Sequence, residues 1–253
     1  MMDDKQFSLT HHFNELRMRL IFILIMVVMT FAVGMFVAKP IMVYLQHAGI
    51  GKNITMNAFQ VTDPFQVYIQ LAFVVGLILV SPFFFYQIWA FVKPGLYETE
   101  QRITLIYIPI IVLLFLIGLV FSYTIVFPFT FNFMYQLNND LKIHNTIGIL
   151  EYFRFLLQMT LPFGFLFQMP LLTMFLTKIM LITPALLKKS RKYAYFIMLI
   201  VAAVIAPPEL MTHLLITCPL IVLYEISIVI STITYKKMAK SEGNQLAKMQ
   251  PKS

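Results

Sequence analysis

Four stretches of this 253-residue chain, residues 20–38, 68–90, 103–129 and 153–180, run with almost no charge, and this limits the fold more than any other feature. Crossing the hydrocarbon core takes roughly 20 apolar residues as helix, and each run approaches or exceeds that length. Two shorter apolar runs follow, 193–206 and 213–235, around the turn Ala206-Pro207-Pro208-Glu209. At ~1.5 Å per residue the fifth run reaches only about 21 Å. A single span across both would place Pro-Pro and Glu209 at its centre, so a hairpin is expected, with local bilayer thinning or shielding by neighbours. Composition agrees: 60% of residues are hydrophobic and 12% charged, against roughly half and a quarter in soluble domains. The expectation is an all-α integral membrane protein with about six spans in residues 1–235. A polar, lysine-rich, disordered tail is expected over 236–253.

The net charge of +8 raises the question of nucleic acid, but the cations sit in short clusters between apolar runs, as membrane proteins mark their cytoplasmic side. With the N-terminus inside, fifteen Lys and Arg fall on inner segments and only Lys39, Lys52, Lys142 and Arg154 on outer ones. Both termini are therefore expected in the cytoplasm. The opening Met1-Met2-Asp3-Asp4 lacks a basic n-region, and no small-residue cleavage site follows the first apolar run, so that run is expected to be retained. The single cysteine, Cys218, forms no intramolecular disulfide and says nothing of redox compartment. Outer segments 39–67 and 135–152 mix apolar and polar residues and are expected to form short interfacial caps. Prolines 82, 109, 128, 162, 170 and 219 lie within spans. They are either the ordinary tolerance of membrane helices for proline or the kinks of a curved bundle.

Catalysis finds little support. There is no G-x-S-x-G, H-E-x-x-H, Gly-rich phosphate loop or Cys/His cluster, so no enzyme activity, metal or cofactor is expected. Near the N-terminus Phe13, Leu16 and Leu20 recur at helical spacing, an amphipathic lead-in to the first span. Glu15 precedes Arg19 by four residues, a spacing that forms an intrahelical ion pair. The second and third runs are joined through Trp89-Ala90-Phe91-Val92-Lys93-Pro94-Gly95-Leu96-Tyr97-Glu98-Thr99-Glu100-Gln101-Arg102. Glu98 faces Arg102 at i+4, whereas Glu100 has no basic residue three or four positions away. It is either a solvated loop glutamate or a carboxylate kept for another partner. Glu225 is the one acidic residue well inside a span, with structural and functional readings both open.

The ordered set of motifs resembles the TatC family, the receptor subunit of the twin-arginine protein translocase. It comprises His12-x-x-Glu15-Leu16-Arg17-x-Arg19-Leu20, Trp89-Ala90-Phe91 with Pro94, Leu96, Tyr97 and Glu100, then Ala206-Pro207-Pro208-Glu209 and Leu223-Tyr224-Glu225. The resemblance extends over nearly the whole chain apart from the tail. It implies a bacterial cytoplasmic membrane protein, multi-pass, whose Glu15 and Glu100 recognise the Arg-Arg pair of export signal peptides. A planar guanidinium offers a fork of donors that a carboxylate accepts in bidentate fashion, which a lysine cannot match. By the same resemblance Phe91 and Leu96 support the apolar residues after the arginines, and Arg17 orients a carboxylate or the loop. Gln168 stands where some members carry an intramembrane glutamate tied to contacts with single-span partners. It can hydrogen-bond across helices but cannot titrate. In the outer turn with Pro207 and Pro208, Glu209 replaces a common aspartate and keeps its charge. The implied partners are signal peptides of folded precursors, TatA-type single-span subunits with or without a TatB-type one, the lipid bilayer, and further copies or subunits in an oligomer; nucleic acid is not among them. The competing reading is a proton- or ion-coupled secondary transporter built on Glu225 and Gln168. The absence of an internal repeat and the scarcity of intramembrane charge weigh against it.

Overall fold

The computed structural model describes residues 3–92, 107–143, 146–205 and 210–249. Almost all of them are helical, because a chain in hydrocarbon must satisfy its backbone groups within each segment. Five helical stretches are long and apolar enough to cross a membrane: Asn14–His47, Asp63–Ile88, Ile108–Asp140, Ile149–Lys178 and Met211–Met238. The fifth expected span is α8, Arg191–Ile205, a helix of only 15 residues, or about 22 Å. The Pro-Pro turn before the last helix lies outside the described residues, as does the loop carrying Leu96 and Glu100.

The helices differ from the apolar runs mainly at their ends. Helix α1 covers Asp3–His47 and passes through Pro40, so the first outer segment begins nine residues later than expected. After α2, Asp63–Val92, the third span begins as α3, Tyr107–Phe121, and passes through a π-helical turn over Ser122–Val126. It then continues as α4, Phe127–Asp140, well beyond the predicted end at 129. The π turn has a local cause: Pro128 cannot donate to the carbonyl four residues back, and Phe127 N–H bonds to Ser122 O instead. The fourth run is broken into α5, Ile149–Leu166, and α6, Met169–Lys178. Pro170 removes a donor there, and Gln168 N–H bonds three residues back to Phe165 O at 3.0 Å. A short helix α7, Pro184–Lys189, capped by the Thr183 side chain, leads into α8. The last helix, α9, spans Leu210–Met249. The expected disordered tail is thus helical through Met249; the Ala, Lys, Gln, Leu and Met in that stretch are strong helix formers.

The chain divides into two compact units. The first holds Met1–Leu113 and Phe133–Leu157, and its centre is the antiparallel pair α1–α2. The two backbones meet closely at Gly34 and Gly76. A Cβ at Gly34 would overlap the Ala72 carbonyl, and one at Gly76 would come within 3.0 Å of the Phe31 backbone. Tyr68 OH donates to Met35 O at 2.5 Å in the same contact. On its outer-loop side lie a 3₁₀ turn, Gly49–Asn53, and strand β1, Met56–Asn57. This strand pairs in parallel with β2, Ile147–Gly148, Met56 opposite Ile147. Asp63 is buried and closes the turn into α2, accepting from the N–H groups of Phe59 and Gln60 at 2.9 Å each. The segments expected to form caps, 39–67 and 135–152, hold the ends of α1 and α4 as well as these small elements.

The second unit holds Leu114–Asn132 and Gln158–Ser253. Gly118 lets its helix lie against the Phe163 carbonyl, and Ser122 Oγ donates to Met159 O at 3.1 Å. Rings of Phe121, Phe163 and Phe167 fill the adjacent space. Helix α6 packs along α9, where the buried hydroxyls of Thr177 and Ser231 bond at 2.7 Å.

Candidate functional site

Two carboxylate–guanidinium clusters stand out among the described residues, one in each unit. The first joins the inner halves of α1 and α2, where the inner side is the one assigned from the charge pattern. Glu15 and Arg19 lie one turn apart on α1 and form the pair that their spacing predicts. Arg19 Nη2 reaches Glu15 Oε1 at 2.7 Å and Nε reaches the same oxygen at 3.1 Å. Its third group, Nη1, donates to Gln87 Oε1 on α2 at 3.0 Å. The contact belongs to the same α1–α2 pairing that meets closely at Gly34 and Gly76. Arg17, two residues from Arg19 and therefore on another face of α1, is exposed. The backbone of Phe91 continues α2 one turn beyond Gln87, toward the loop that carries Leu96 and Glu100. Those two residues lie outside the described part; among the described residues, the structure brings together Glu15, Arg19 and Gln87.

The second cluster closes the hairpin of α7, α8 and α9. Glu225 receives Arg191 Nη2 on Oε2 at 2.6 Å and Tyr195 OH on Oε1 at 2.5 Å. The neighbouring Tyr224 packs its ring edge-on against Tyr195, with centroids 6.1 Å apart, and its OH donates to Leu187 O at 2.9 Å. Both oxygens of Glu225 are thus engaged by residues more than one helix turn away in sequence, and the group fastens α8 and α7 to α9. Gln168 sits at the α5–α6 break, its amide nitrogen 3.5 Å from Gly164 O. Pro207, Pro208 and Glu209 lie outside the described residues. Sequence reading missed three participants: Gln87, Arg191 and Tyr195. A lone amide inside an apolar run was the available signal for Gln87; nothing in local spacing links Arg191 or Tyr195 to Glu225.

The model of the family described as Sec-independent protein translocase protein (TatC) matches residues 11–219. The chain belongs to the TatC family. Its relatives include TatCy of Bacillus subtilis strain 168, 54% identical over 238 residues, or 94% of each chain. TatC of Listeria innocua is likewise 54% identical, over 94% of this chain and 97% of that one. Among solved structures, a crystal structure of the twin-arginine translocase receptor TatC in the detergent DDM superimposes with a TM-score of 0.79 at 32% identity. It covers 87% of this chain and 99% of that one. A second crystal structure of that receptor gives a TM-score of 0.77 at 31% identity, over 88% of this chain and 99% of the other. The protein is thus an α-helical membrane component of Sec-independent protein translocation, and the TatC fold frames both clusters described above.

Proposed function

We propose that this TatC protein is the receptor subunit of a twin-arginine translocase in the bacterial cytoplasmic membrane. Its α1–α2 end, with Glu15 and the following loop with Glu100, takes the Arg-Arg pair of export signal peptides. The observation that carries the reading is the match, over 87% of the chain, to a crystal structure described as a twin-arginine translocase receptor. The chemistry at α1 supports it. Glu15 already accepts a guanidinium, that of Arg19, at 2.7 Å. With side-chain exposures of 27% and 23% for Glu15 and Arg19, the pair is reachable from solvent, and an ion pair of this kind is weak enough to be exchanged. Glu100 supplies the second carboxylate, Phe91 and Leu96 the apolar support, and Arg17 the orientation of the loop. Residues 1–235 form the membrane part and 236–253 a basic cytoplasmic extension, with both termini inside; the excess of Lys and Arg on the inner segments supports this topology. Single-span TatA-type subunits, with or without a TatB-type subunit, join the receptor near Gln168 as it carries folded precursors across in an oligomeric assembly. Glu225 serves that assembly by keeping the last hairpin closed.

The test is export in bacteria lacking their own TatC, supplied with this chain and its single-span partners. A folded reporter bearing an Arg-Arg signal is expected outside the membrane, and the Lys-Lys version is expected to stay in the cytoplasm. Equal retention of both reporters, with the chain correctly inserted, counts against the reading.

A further inference from the structure

The corner where α7 meets α8 carries four cations in five residues, Lys188-Lys189-Ser190-Arg191-Lys192, and no Asp or Glu occurs between Glu151 and Glu209. Arg191 is engaged by Glu225 of α9. Lys188, Lys189 and Lys192 are exposed, and none of the three forms an ion pair among the described residues. Their corner is fixed in place. The Thr183 side chain caps α7 by accepting from Leu186 N–H at 3.3 Å, and Tyr224 OH donates to Leu187 O at 2.9 Å. Like charges held together this way repel one another until an anion joins them.

An apolar stripe begins beside these lysines. Tyr193, Phe196, Ile200 and Val204 recur at helical spacing on one face of α8 and are exposed, Tyr193 and Val204 to 75% each. Met198, Ala202 and Ile205 are buried on the opposite face. The helix has 15 residues, about 22 Å, against a hydrocarbon core ~30 Å thick. A short span of this kind draws the headgroups inward and thins the bilayer around it. Away from bulk water, a contact between phosphate and ammonium is stronger than at a fully wetted surface.

We propose that this corner binds an anionic phospholipid: Lys188, Lys189 and Lys192 take the headgroup phosphate, and the stripe from Tyr193 to Val204 takes an acyl chain. Each basic side chain at the membrane surface favours an anionic over a neutral headgroup by about fivefold. A zwitterionic lipid offers the same chains without net charge. The apolar helix of a protein partner matches the stripe but leaves the lysines without an anion. A bound phosphate offsets the repulsion among the lysines and so stabilises the corner that joins α7, α8 and α9. The inference does not depend on the receptor reading of Glu15.

The experiment titrates the full chain in detergent with phosphatidylglycerol or phosphatidylcholine. It reads retained lipid by native mass spectrometry and the unfolding temperature, with the size-exclusion profile as a check on folding. Phosphatidylglycerol is expected to bind at least tenfold more tightly than phosphatidylcholine and to raise the unfolding temperature further. The triple variant Lys188→Gln, Lys189→Gln, Lys192→Gln is expected to lose that preference. The control pair Lys236→Gln, Lys237→Gln, further along α9, is expected to keep it. Should the triple variant not fold, Lys188→Gln alone is expected to weaken phosphatidylglycerol binding about fivefold. A preference that survives these lysine changes, or that vanishes equally in the control pair, overturns the inference. Phosphatidylglycerol with six-carbon chains is expected to bind more weakly than the long-chain lipid. Equal binding of the two, or equal protection by glycerol phosphate, means that the corner reads a free phosphate and overturns the lipid assignment. No preference for phosphatidylglycerol in the wild-type chain also overturns it, and crosslinking of a co-expressed single-span subunit at Phe196 would then assign the stripe to a partner helix.

Discussion

The two carboxylate–arginine clusters use the same chemistry for different ends. Glu225 is held from both sides, Arg191 on one oxygen and Tyr195 on the other, by residues 34 and 30 positions away. Breaking it means opening a hairpin. Arg19, of the same helix as Glu15, bonds twice to one of its oxygens and is shared with Gln87 of the next helix. Exchanging that guanidinium moves one side chain. A carboxylate that fastens distant segments contributes to stability, whereas one paired within a single helix turn contributes little and can change partners.

That contrast can be broken at graded cost. The largest expected effect is that of Gly34→Val, which forces α1 off α2 where a side chain meets the Ala72 backbone; overpacking of this kind costs about 3 kcal/mol. It should also part the facing ends of α1 and α2, read as lost crosslinking by a bifunctional thiol reagent between Arg19→Cys and Gln87→Cys, while leaving the Glu225 cluster intact. Next comes Glu225→Ala, which leaves Arg191 and Tyr195 without their acceptor. An effect of about 2 kcal/mol is expected as a lowered unfolding temperature in detergent, with peptide binding per folded molecule unchanged. Smallest is the stability effect of Glu15→Ala, within about 0.5 kcal/mol, although peptide binding should fall at least tenfold. If Glu15→Ala unfolds the protein as readily as Glu225→Ala, the distinction between the clusters fails.

Much of the fold was legible because hydrophobic runs and positive clusters report directly on the membrane. The ends of helices were less legible. Hydropathy falls where charged or polar residues begin, at Lys39 or Gln136, but helical hydrogen bonding does not stop there, and α1 and α4 continue to His47 and Asp140. The break at Gln168 and the π turn at Ser122 arise from single prolines whose effect depends on how the neighbouring backbone re-pairs. Within the candidate site, Glu15–Arg19 was visible because its partners lie one turn apart. Gln87, Arg191 and Tyr195 are joined to their partners only by tertiary packing, so no local spacing marks them. The TatC resemblance was legible through the order of short motifs, each of them weak alone, and residues 11–219 match the family model.

The central claim is that the α1–α2 end reads arginine pairs through carboxylates. Its most direct test is equilibrium binding of a synthetic twin-arginine signal peptide to the purified chain, beside a Lys-Lys peptide and the Glu100→Ala variant. The account predicts that the Arg-Arg peptide binds at least tenfold more tightly than the Lys-Lys peptide, and that Glu100→Ala removes the difference. Equal affinity for both peptides, indifferent to Glu100, would contradict it.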